Sequence, residues 1–327
     1  MQSLDLDLQS LRQSADEVYA HMMPTPQFAW PTLRAALGLD VWVKHENHTP
    51  TGAFKVRGGI RFMNWLADSH PDCRGIVTAT RGNHGQSQAR AATAAGLTAK
   101  IVVPRGNAVE KNEAMKAFGA TLVEFGADFD ESREEVKRIS EEEGLFSVPS
   151  FHPALVQGVA SYALELFEAV ADIDTVYVPI GCGSGICAVI AARDALGLST
   201  EVVGVVSSEA NAAQLAFDSG KVETTATART FADGVAVRVV VPEALAIYGS
   251  GASRVVAVTD DEVAEAMRLY FRCTQNVSEG AGAAPLAALM QERDRQKGKR
   301  SAVILCGGNV DTPVFQQVLA GNTPVVA

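Results

Sequence analysis

The fold of this chain is decided by the segment Thr175–Gly185, which reads TVYVPIGCGSG. The run Thr175–Ile180 is mostly apolar and rich in β-branched side chains, so it predicts a buried strand. The glycine-rich run Gly181–Gly185 predicts a tight turn, and the apolar pattern of Ile186–Leu196 predicts a helix directly after it. A buried strand that leads through such a turn into a helix is the repeating unit of a parallel α/β sheet.

The same unit recurs before and after this segment. Further strands are predicted at Gly75–Ala79, Ala99–Val103, Thr121–Phe125, Glu201–Val206 and Ser301–Leu305. Helices are predicted at His84–Ala95, Ala108–Phe118, Phe129–Glu143 and Leu155–Val170, and Thr259–Glu262 has the form of a capping box that begins another. These units are too many for one small sheet, so we expect two open, twisted α/β lobes. The stretch Lys221–Arg238 fits neither pattern and is predicted to be a loop and a candidate for mobility.

Length, composition and charge limit the class of protein. The chain has 327 residues, 47% of them hydrophobic, and a formal net charge of −10. These values suit a large folded core and disfavour binding to nucleic acid or to an anionic membrane. The apolar runs are too short to span a bilayer, and the first residues lack the pattern of a secretory signal. The five cysteines form no CxxC pair, so we expect a soluble protein of the reducing cytoplasm.

Ligands of an open α/β sheet bind at the carboxyl ends of its strands, and four turns at such positions carry reactive or polar residues. The first turn, Thr51–Gly59, places Lys55 among glycines after a strand predicted at Val41–Lys44. A lysine that packs in a partly apolar site has a lowered pKa and can form a Schiff base. The alternative is a surface lysine in a glycine loop.

The second turn is Thr80–Gly85, TRGNHG, between a predicted strand and a predicted helix. The N–H groups at the amino terminus of a helix attract anions, and Asn83 can donate an amide hydrogen to a phenolate-like oxygen. The alternative is an ordinary turn in which glycine and asparagine supply the backbone freedom. The presence of Arg81 and His84 in one such turn favours a ligand site.

The third turn is Gly181–Gly185, where glycines let an anionic group approach the backbone and the helix dipole attracts it. A phosphate is the natural ligand of such a turn. The competing interpretation is a nicotinamide dinucleotide site, with Glu209 somewhat beyond the spacing expected for the acidic ribose contact. The dinucleotide pattern needs a glycine where this chain has Ile186, which weakens that alternative.

The fourth turn, Cys306–Asn309, follows the strand predicted at Ser301–Leu305. The Cys306 thiol can hydrogen-bond a heteroaromatic nitrogen, although a buried cysteine is more often a small apolar side chain. Together the four turns offer an amine, an amide donor, a phosphate cradle and a thiol. These groups match the aldehyde, the phenolic oxygen, the phosphate and the ring nitrogen of pyridoxal phosphate.

With these turns the chain resembles the threonine/serine dehydratase family of fold-type II pyridoxal-phosphate enzymes, whose members also include serine racemase and hydroxyaspartate dehydratase. The resemblance extends from Pro24–Pro26 to Cys306–Asp311. It implies the fold of the tryptophan synthase β subunit, with a large cofactor-binding domain of residues 1–70 and 153–327. It also implies a small mobile domain of residues 71–152, with the cofactor in the cleft between the two.

The resemblance assigns a role to the residues of the four turns. Lys55 would form the Schiff base with the cofactor, Phe54 would pack beside its ring, and Asn83 would contact the phenolic oxygen. Cys306 would meet the pyridine nitrogen, with Glu279 nearby. The phosphate would be bound by Gly181, Cys182, Gly183, Ser184 and Gly185, and the substrate by Thr80, Arg81, Gly82 and His84.

The implied activity is that of a pyridoxal-phosphate-dependent ammonia-lyase. A β-hydroxy amino acid such as threonine or serine would replace Lys55 on the cofactor, and the freed amine would remove the α proton, giving a 2-oxo acid and ammonia. A neutral Cys306 thiol would leave the ring nitrogen unprotonated and favour elimination over transamination. The alternatives within the fold are a dehydratase for 3-hydroxyaspartate or another β-hydroxylated amino acid, and a β-replacement enzyme. A nicotinamide-dependent oxidoreductase is the distant alternative.

Three departures from the family pattern concern the substrate, the phosphate and metal ions. Arg81 stands where racemases of the family have a proton-donating serine, which argues against racemisation. Arg81 would instead anchor a substrate carboxylate or form an ion pair with the other lobe. Cys182 and Ser184 replace two glycines of the phosphate loop, and Ser184 adds a hydroxyl donor. The divalent-cation site of some relatives has Ser208 and Gln214 in place of its carboxylates, so no metal is expected.

Two expectations concern regulation and assembly. The chain ends soon after Cys306–Asn309, which leaves no room for the regulatory domain of biosynthetic threonine dehydratases, so we expect a catabolic enzyme without feedback control. Members of the family are often dimers or tetramers, so a homo-oligomer acting on a small amino acid is expected.

Overall fold

The computed structural model describes residues 6–127 and 129–325. Its strands are β1 Gln27–Phe28, β2 Asp40–His45, β3 Gly75–Ala79, β4 Thr98–Val103, β5 Thr121–Glu124, β6 Phe146–Ser147, β7 Thr175–Pro179, β8 Glu201–Ser207, β9 Arg254–Val258 and β10 Arg300–Leu305. Its helices are α1 Leu8–Tyr19, α2 Pro31–Leu37, α3 Lys55–Ser69, α4 Asn83–Ala94, α5 Val109–Ala117, α6 Phe129–Glu143, α7 Pro153–Ala169, α8 Ser184–Ala195, α9 Ala212–Ser219, α10 Pro242–Gly251, α11 Asp260–Thr274, α12 Gly280–Gln291 and α13 Thr312–Leu319. Short 3₁₀ turns lie at Glu46–His48, Ser208–Ala210 and Asp233–Val235.

The larger of the two sheets has the strand order β1-β2-β10-β7-β8-β9. It is parallel except for β1, which pairs antiparallel with β2. Leu305 at the end of β10 lies opposite His45 at the end of β2, and Val303 lies opposite Tyr177 of β7. The turns after β2, β10 and β7 therefore open at the same edge of this sheet, where ligands of such folds bind.

The smaller sheet has the order β5-β4-β3-β6 and is parallel throughout. Helices α4 and α6 pack on its two central strands, and all five residues of β3 are buried. The strand β3 leads into α4 through the turn Thr80–Gly82, at the carboxyl edge of the sheet. The α/β fold class with two open sheets is thus confirmed.

Helix α3 packs between α7 and α4, and two of its glycines lie at these contacts. A Cβ at Gly58 would come within 2.9 Å of the Leu155 carbonyl oxygen, and one at Gly59 within 2.3 Å of Ser87 Oγ. The prediction of a turn over Thr51–Gly59 was therefore wrong for its second half. The glycines that suggested a loop lie inside a helix, where they allow its neighbours to approach closely.

The larger sheet is covered by helices that carry almost no charge. Helix α8 buries nine of its twelve residues and α12 buries ten of twelve, because both contact strands of this sheet. Over residues 6–127 and 129–325, no helix is both long and apolar enough to cross a membrane.

The predicted strands and helices named above lie within two residues of the observed ones at each end, and the capping box at Thr259 and Glu262 is present. The stretch Lys221–Arg238 contains the 3₁₀ turn Asp233–Val235 and no longer element, and its mobility stays a prediction. The smaller sheet is built from strands between residues 75 and 147. The domain limits 1–70, 71–152 and 153–327 and the mobility of the small domain likewise stay predictions.

Candidate active site

Lys55 is the first residue of α3, and its amine lies at the amino terminus of α8. Its Nζ donates a hydrogen bond to Ser184 Oγ at 3.0 Å and lies 4.9 Å from the centre of the Phe54 ring. Burial of the amine lowers the pKa of Lys55, against an opposing effect of the Cys182 and Cys306 sulfurs. The amino-terminal ends of two helices also disfavour a positive charge at this place. Burial therefore makes Lys55 a weaker base than an exposed lysine, which favours a nucleophilic amine.

The loop Gly181–Gly185 has the shape of an anion cradle. A Cβ at Gly181 would lie 2.3 Å from the Gly234 carbonyl oxygen, and Gly183, at φ +96°, would place one 2.5 Å from Ala244 Cβ. Side chains at these two positions would clash, so glycine is required. The loop ends in the first turn of α8, whose N-cap residue Gly183 has no side chain to accept a hydrogen bond. The N–H groups of such a helix end bind phosphate in other proteins.

Three of the four turns meet at the side-chain amide of Asn83. Its Nδ2 donates to Glu279 Oε1 at 2.6 Å, and its Oδ1 accepts from Nδ2 of Asn309 at 2.8 Å. Asn309 Nδ2 also donates to the Thr51 carbonyl oxygen at 2.8 Å. The amide that the resemblance assigns to a phenolic oxygen is therefore oriented by both of its neighbours. Asn309 was not among the predicted site residues, although it is the last residue of the fourth turn, Cys306–Asn309.

Cys306 directly follows β10, at the same edge of the larger sheet. It lies next to Glu279, the N-cap residue of α12. A Cβ at Gly307 would lie 2.4 Å from Glu279 Oε1, so the carboxyl group touches this turn. Burial and the nearby Glu279 raise the pKa of Cys306 well above its usual range, so the thiol is neutral. Burial also raises the pKa of Glu279 to about 7, while Lys111 and Asn83 act in the opposite direction.

The four predicted substrate residues have different surroundings. Thr80 is buried, and its Oγ1 accepts from the N–H group of Gly82 at 3.0 Å, so it stabilises the turn. Arg81 is exposed. Nε2 of His84 is buried without a hydrogen-bond partner among the described residues, and burial together with the charge of Lys55 lowers the pKa of His84 to about 3. The roles of these four residues toward a substrate stay predictions.

An ion pair that the sequence did not reveal lies beside the second turn, Thr80–Gly85. It joins helix α5 to the 3₁₀ turn Asp233–Val235. Lys111 Nζ, on α5, lies 2.6 Å from Asp233 Oδ2, in the stretch predicted to be a loop. A Cβ at Gly82 would lie 2.9 Å from Lys111 Cδ, so the lysine stem passes over the second turn. Burial alone would lower the pKa of Lys111, but the carboxylates of Asp233 and Glu279 raise it. The sequence gives no signal for this pair, because its members are 122 positions apart.

Of the two positions aligned with the cation site of relatives, Gln214 has another partner. Gln214 Nε2 donates to the Val255 carbonyl oxygen at 3.1 Å, and Glu209 is exposed. Within the described part of the chain, no group of three or more His, Cys, Asp or Glu side chains is arranged to hold a metal ion.

Comparison with known proteins identifies the class of protein. The model of the family described as pyridoxal-phosphate dependent enzymes matches residues 18–307, so the chain belongs to this family and its cofactor is pyridoxal phosphate. Within the family it belongs with the threonine dehydratase-like ammonia-lyases. The nicotinamide alternative for the Gly181–Gly185 loop was therefore wrong.

Two curated relatives and one solved structure illustrate the similarity. The chain is 31% identical over 304 residues to the biosynthetic L-threonine dehydratase of Haemophilus influenzae. The aligned region covers 92% of this chain and 59% of that protein. It is 30% identical over 311 residues to the L-threo-3-hydroxyaspartate ammonia-lyase of a Pseudomonas species, covering 94% and 97%. The structure of maize serine racemase superposes with a TM-score of 0.89 at 27% identity, covering 96% and 97%.

The residues present fit the cofactor on their own chemistry. The Lys55 amine, with its lowered pKa, lies within hydrogen-bond reach of a loop where only glycine fits and whose helix is uncapped by side chains. Such a loop suits a phosphate and such an amine suits an aldehyde. Phe54, Asn83, Glu279 and Cys306 lie around the same edge of the larger sheet. The role of each residue toward the cofactor stays a prediction.

Proposed function

We propose that this protein is an ammonia-lyase that converts a β-hydroxy amino acid, such as threonine or serine, to a 2-oxo acid and ammonia. The observation that carries the proposal is the 3.0 Å contact of the Lys55 amine with Ser184, at the mouth of the glycine loop. When bound there, pyridoxal phosphate supplies an aldehyde for an amine and a conjugated ring that withdraws electrons from the α carbon.

Lys55 would act twice in this reaction. Its amine first holds the cofactor, and once released it takes the α proton of the substrate. Both roles require an unprotonated amine near neutral pH, and the lowered pKa of Lys55 supports them. The hydrogen bond to Ser184 would keep the released amine close to the reacting carbon.

Cys306 would set the outcome of the reaction. A thiol kept neutral by burial has no charge with which to hold a proton on the pyridine nitrogen. By leaving that nitrogen unprotonated, Cys306 would favour loss of the β-hydroxyl group over transamination. Cys306→Asp should increase the fraction of turnovers that end in transamination, measured as the amine form of the cofactor. An unchanged fraction would contradict this role.

The substrate carboxylate would bind at the second turn. The backbone N–H groups of Asn83 and His84, in the first turn of α4, would form an anion site of the kind found at helix ends. The N–H group of Gly85 in the same turn already donates to Thr80 Oγ1 at 3.3 Å. Thr80 fixes the shape of the turn through its hydrogen bond to Gly82.

A 3-hydroxyaspartate ammonia-lyase is the second candidate. The exposed guanidinium of Arg81, in the same turn, is suited to a second carboxylate, and one relative bears the name of that activity. We further propose a cytoplasmic homo-oligomer, dimer or tetramer, which light scattering of the purified protein would test.

The experiment is a colour and product test with a variant of the reacting lysine. The protein reconstituted with pyridoxal phosphate should show a visible absorption band that borohydride removes, and should release 2-oxo acid from one or more members of a panel containing threonine, serine and 3-hydroxyaspartate. Lys55→Ala should lack the band and lose activity by about 10⁴-fold or more, as expected for loss of a nucleophile. Lys116→Ala, at an exposed lysine on α5, is the matched control and should behave like wild type. A reconstituted wild-type protein without the visible band, or one that releases no 2-oxo acid from any member of the panel, would contradict the proposal.

A further inference from the structure

A cluster of buried charges that the proposed reaction does not use surrounds Arg57, two positions after Lys55. We call it the buried charge cluster; it consists of Thr25, Lys44, Glu46, Arg57, Ser161 and Glu165. The side chains of Lys44, Glu46 and Arg57 are 0% exposed and that of Glu165 is 7% exposed. Two cations face two carboxylates, so the cluster is neutral as a whole, which is the condition under which such charges tolerate burial.

Arg57 is the centre of this cluster. Its Nε and Nη2 donate to the two carboxylate oxygens of Glu46 at 2.7 and 3.0 Å, and its Nη1 and Nη2 donate to those of Glu165 at 2.6 and 3.0 Å. Nη1 also donates to Ser161 Oγ at 2.9 Å and Nη2 to Thr25 Oγ1 at 3.1 Å. A guanidinium held between two carboxylates in this way has very little freedom to move.

The place of Arg57 in the chain connects this rigidity to the reacting amine. Arg57 lies two residues after Lys55, in the first turn of α3, so the two side chains leave the helix on nearly opposite faces. No side chain caps the amino terminus of α3, and an uncapped first turn is the part of a helix most prone to fray. The contacts of Arg57 supply a fixed point in that turn.

Helix α7 contacts both Arg57 and the glycine loop Gly181–Gly185. Ser161 and Glu165 bind Arg57, while the intervening Tyr162 donates its hydroxyl to the Gly185 carbonyl oxygen at 3.3 Å. The Tyr162 ring also packs edge-on against Phe54, with the ring centres 6.0 Å apart. One helix thus supports both the turn that holds the amine and the loop that faces it.

We propose that Arg57 is a positioning residue, which acts through Glu46, Ser161 and Glu165 to hold the Lys55 amine in register with the glycine loop. This inference rests on the proposed function, because it concerns the amine that holds the cofactor. Arg57 touches neither cofactor nor substrate in this assignment.

The test measures how fast the visible band forms when pyridoxal phosphate is added to the protein freed of cofactor. Arg57→Lys keeps the charge but cannot bind two carboxylates in two-point fashion, so the band should form about tenfold to a hundredfold more slowly, the range expected for a misplacement of about 1 Å. The pH at the midpoint of the band's titration should also shift. Glu165→Gln and Ser161→Ala each remove part of the support and leave the Glu46 contact intact, so smaller decreases in the same direction are expected even if Arg57→Lys fails to fold.

The matched control is Arg254→Lys, at a second arginine that binds two carboxylates. Arg254 lies on β9, at the far edge of the larger sheet, and pairs with Glu201 of β8 and with Glu292, which follows α12. Its replacement should therefore lower the melting temperature and leave the rate of band formation unchanged. If the cluster variants lower the melting temperature but form the band at the wild-type rate and with the wild-type pH midpoint, the cluster is only structural and the inference is wrong. If wild-type protein forms no band at all, the proposed function itself fails, and the inference falls with it.

Discussion

Two turns of this molecule share one design and differ in what they offer a ligand. Both the turn after β7 and the turn after β3 lead from a buried strand into a helix whose N-cap residue is a glycine. The first, Gly181–Gly185, is pressed so closely by its neighbours that glycine is required at two positions. The second, Thr80–Gly85, presents the exposed guanidinium of Arg81. Backbone groups suit the phosphate of a cofactor, which is the same in every reaction. A side chain such as Arg81 suits the group by which one amino-acid substrate differs from another.

This contrast suggests a division between the two sheets. The larger sheet would hold the cofactor through Lys55, the glycine loop and Cys306, and the smaller sheet would choose the substrate. The two are joined at the Asn83–Glu279 hydrogen bond and at the Lys111–Asp233 ion pair. Variants at the junction, in the glycine loop Gly181–Gly185 and in the second turn should therefore have separable effects.

The largest effect is expected at the junction, from the pH dependence of Glu279. Its pKa of about 7 in the folded protein lies above its ordinary value of 4.5, so the folded state holds the proton more tightly than the unfolded state. The contribution to stability is complete below the ordinary pKa and is lost as the pH rises toward 7. In free energy of unfolding this loss is about 3 kcal/mol across that window.

Glu279→Gln keeps the acceptor for Asn83 and removes the titration. Urea unfolding of the protein freed of cofactor, between pH 5 and pH 8, should show that the variant gains stability relative to wild type as the pH rises. Parallel stability profiles for the two proteins would show that the carboxyl group does not titrate in this range.

The next effect is expected in the glycine loop Gly181–Gly185. Gly181→Ala places a methyl group 2.3 Å from the Gly234 carbonyl oxygen, and the backbone atoms there cannot move aside without displacing the loop. The affinity for pyridoxal phosphate should fall about tenfold to a hundredfold, which corresponds to about 1–3 kcal/mol of overpacking. Equilibrium titration of the visible band measures it.

Gly249→Ala is the matched control for this change. Its added Cβ would lie 3.5 Å from Leu245 Cδ1, an ordinary contact, within helix α10. Cofactor affinity should be unaffected and stability slightly increased, because alanine favours a helix. Equal losses of affinity in both variants would show that the cradle has no special role.

Much of the fold was predictable because its strands are short, buried, β-branched runs bounded by glycine. The strand Gly75–Ala79 matches the observed one, and the turns after it and after Thr175–Pro179 were placed correctly. The two-residue strands Gln27–Phe28 and Phe146–Ser147 carry too little pattern to be found. The strand Arg254–Val258 was also missed, although its sequence, RVVAV, is typical of one.

The site was only partly predictable, for a physical reason. Motif residues such as Lys55 and Asn83 are the first residues of helices, next to glycine-containing segments whose pattern shows in a short stretch of sequence. Lys111, Asp233 and the cluster around Arg57 depend on contacts between residues far apart in the chain. Buried charges are recognised from their partners, and a single sequence does not state which residues become partners.

The smallest effect is expected in the second turn, where the comparison is sharpest. Arg81 is exposed, so a substrate carboxylate bound to it remains partly hydrated and the interaction is worth about 1 kcal/mol. Arg81→Ser should raise KM for 3-hydroxyaspartate about fivefold, which is that energy converted to a ratio, and should change KM for threonine much less. The visible band and the cofactor affinity should stay as in wild type, because the cofactor phosphate would be held by the glycine loop Gly181–Gly185.

Arg74→Ser is the matched control: this exposed arginine precedes the same strand, β3, at its opposite end. A KM that rises equally for both substrates would place Arg81 at the α-carboxylate, and a KM unchanged for both would remove it from the substrate site.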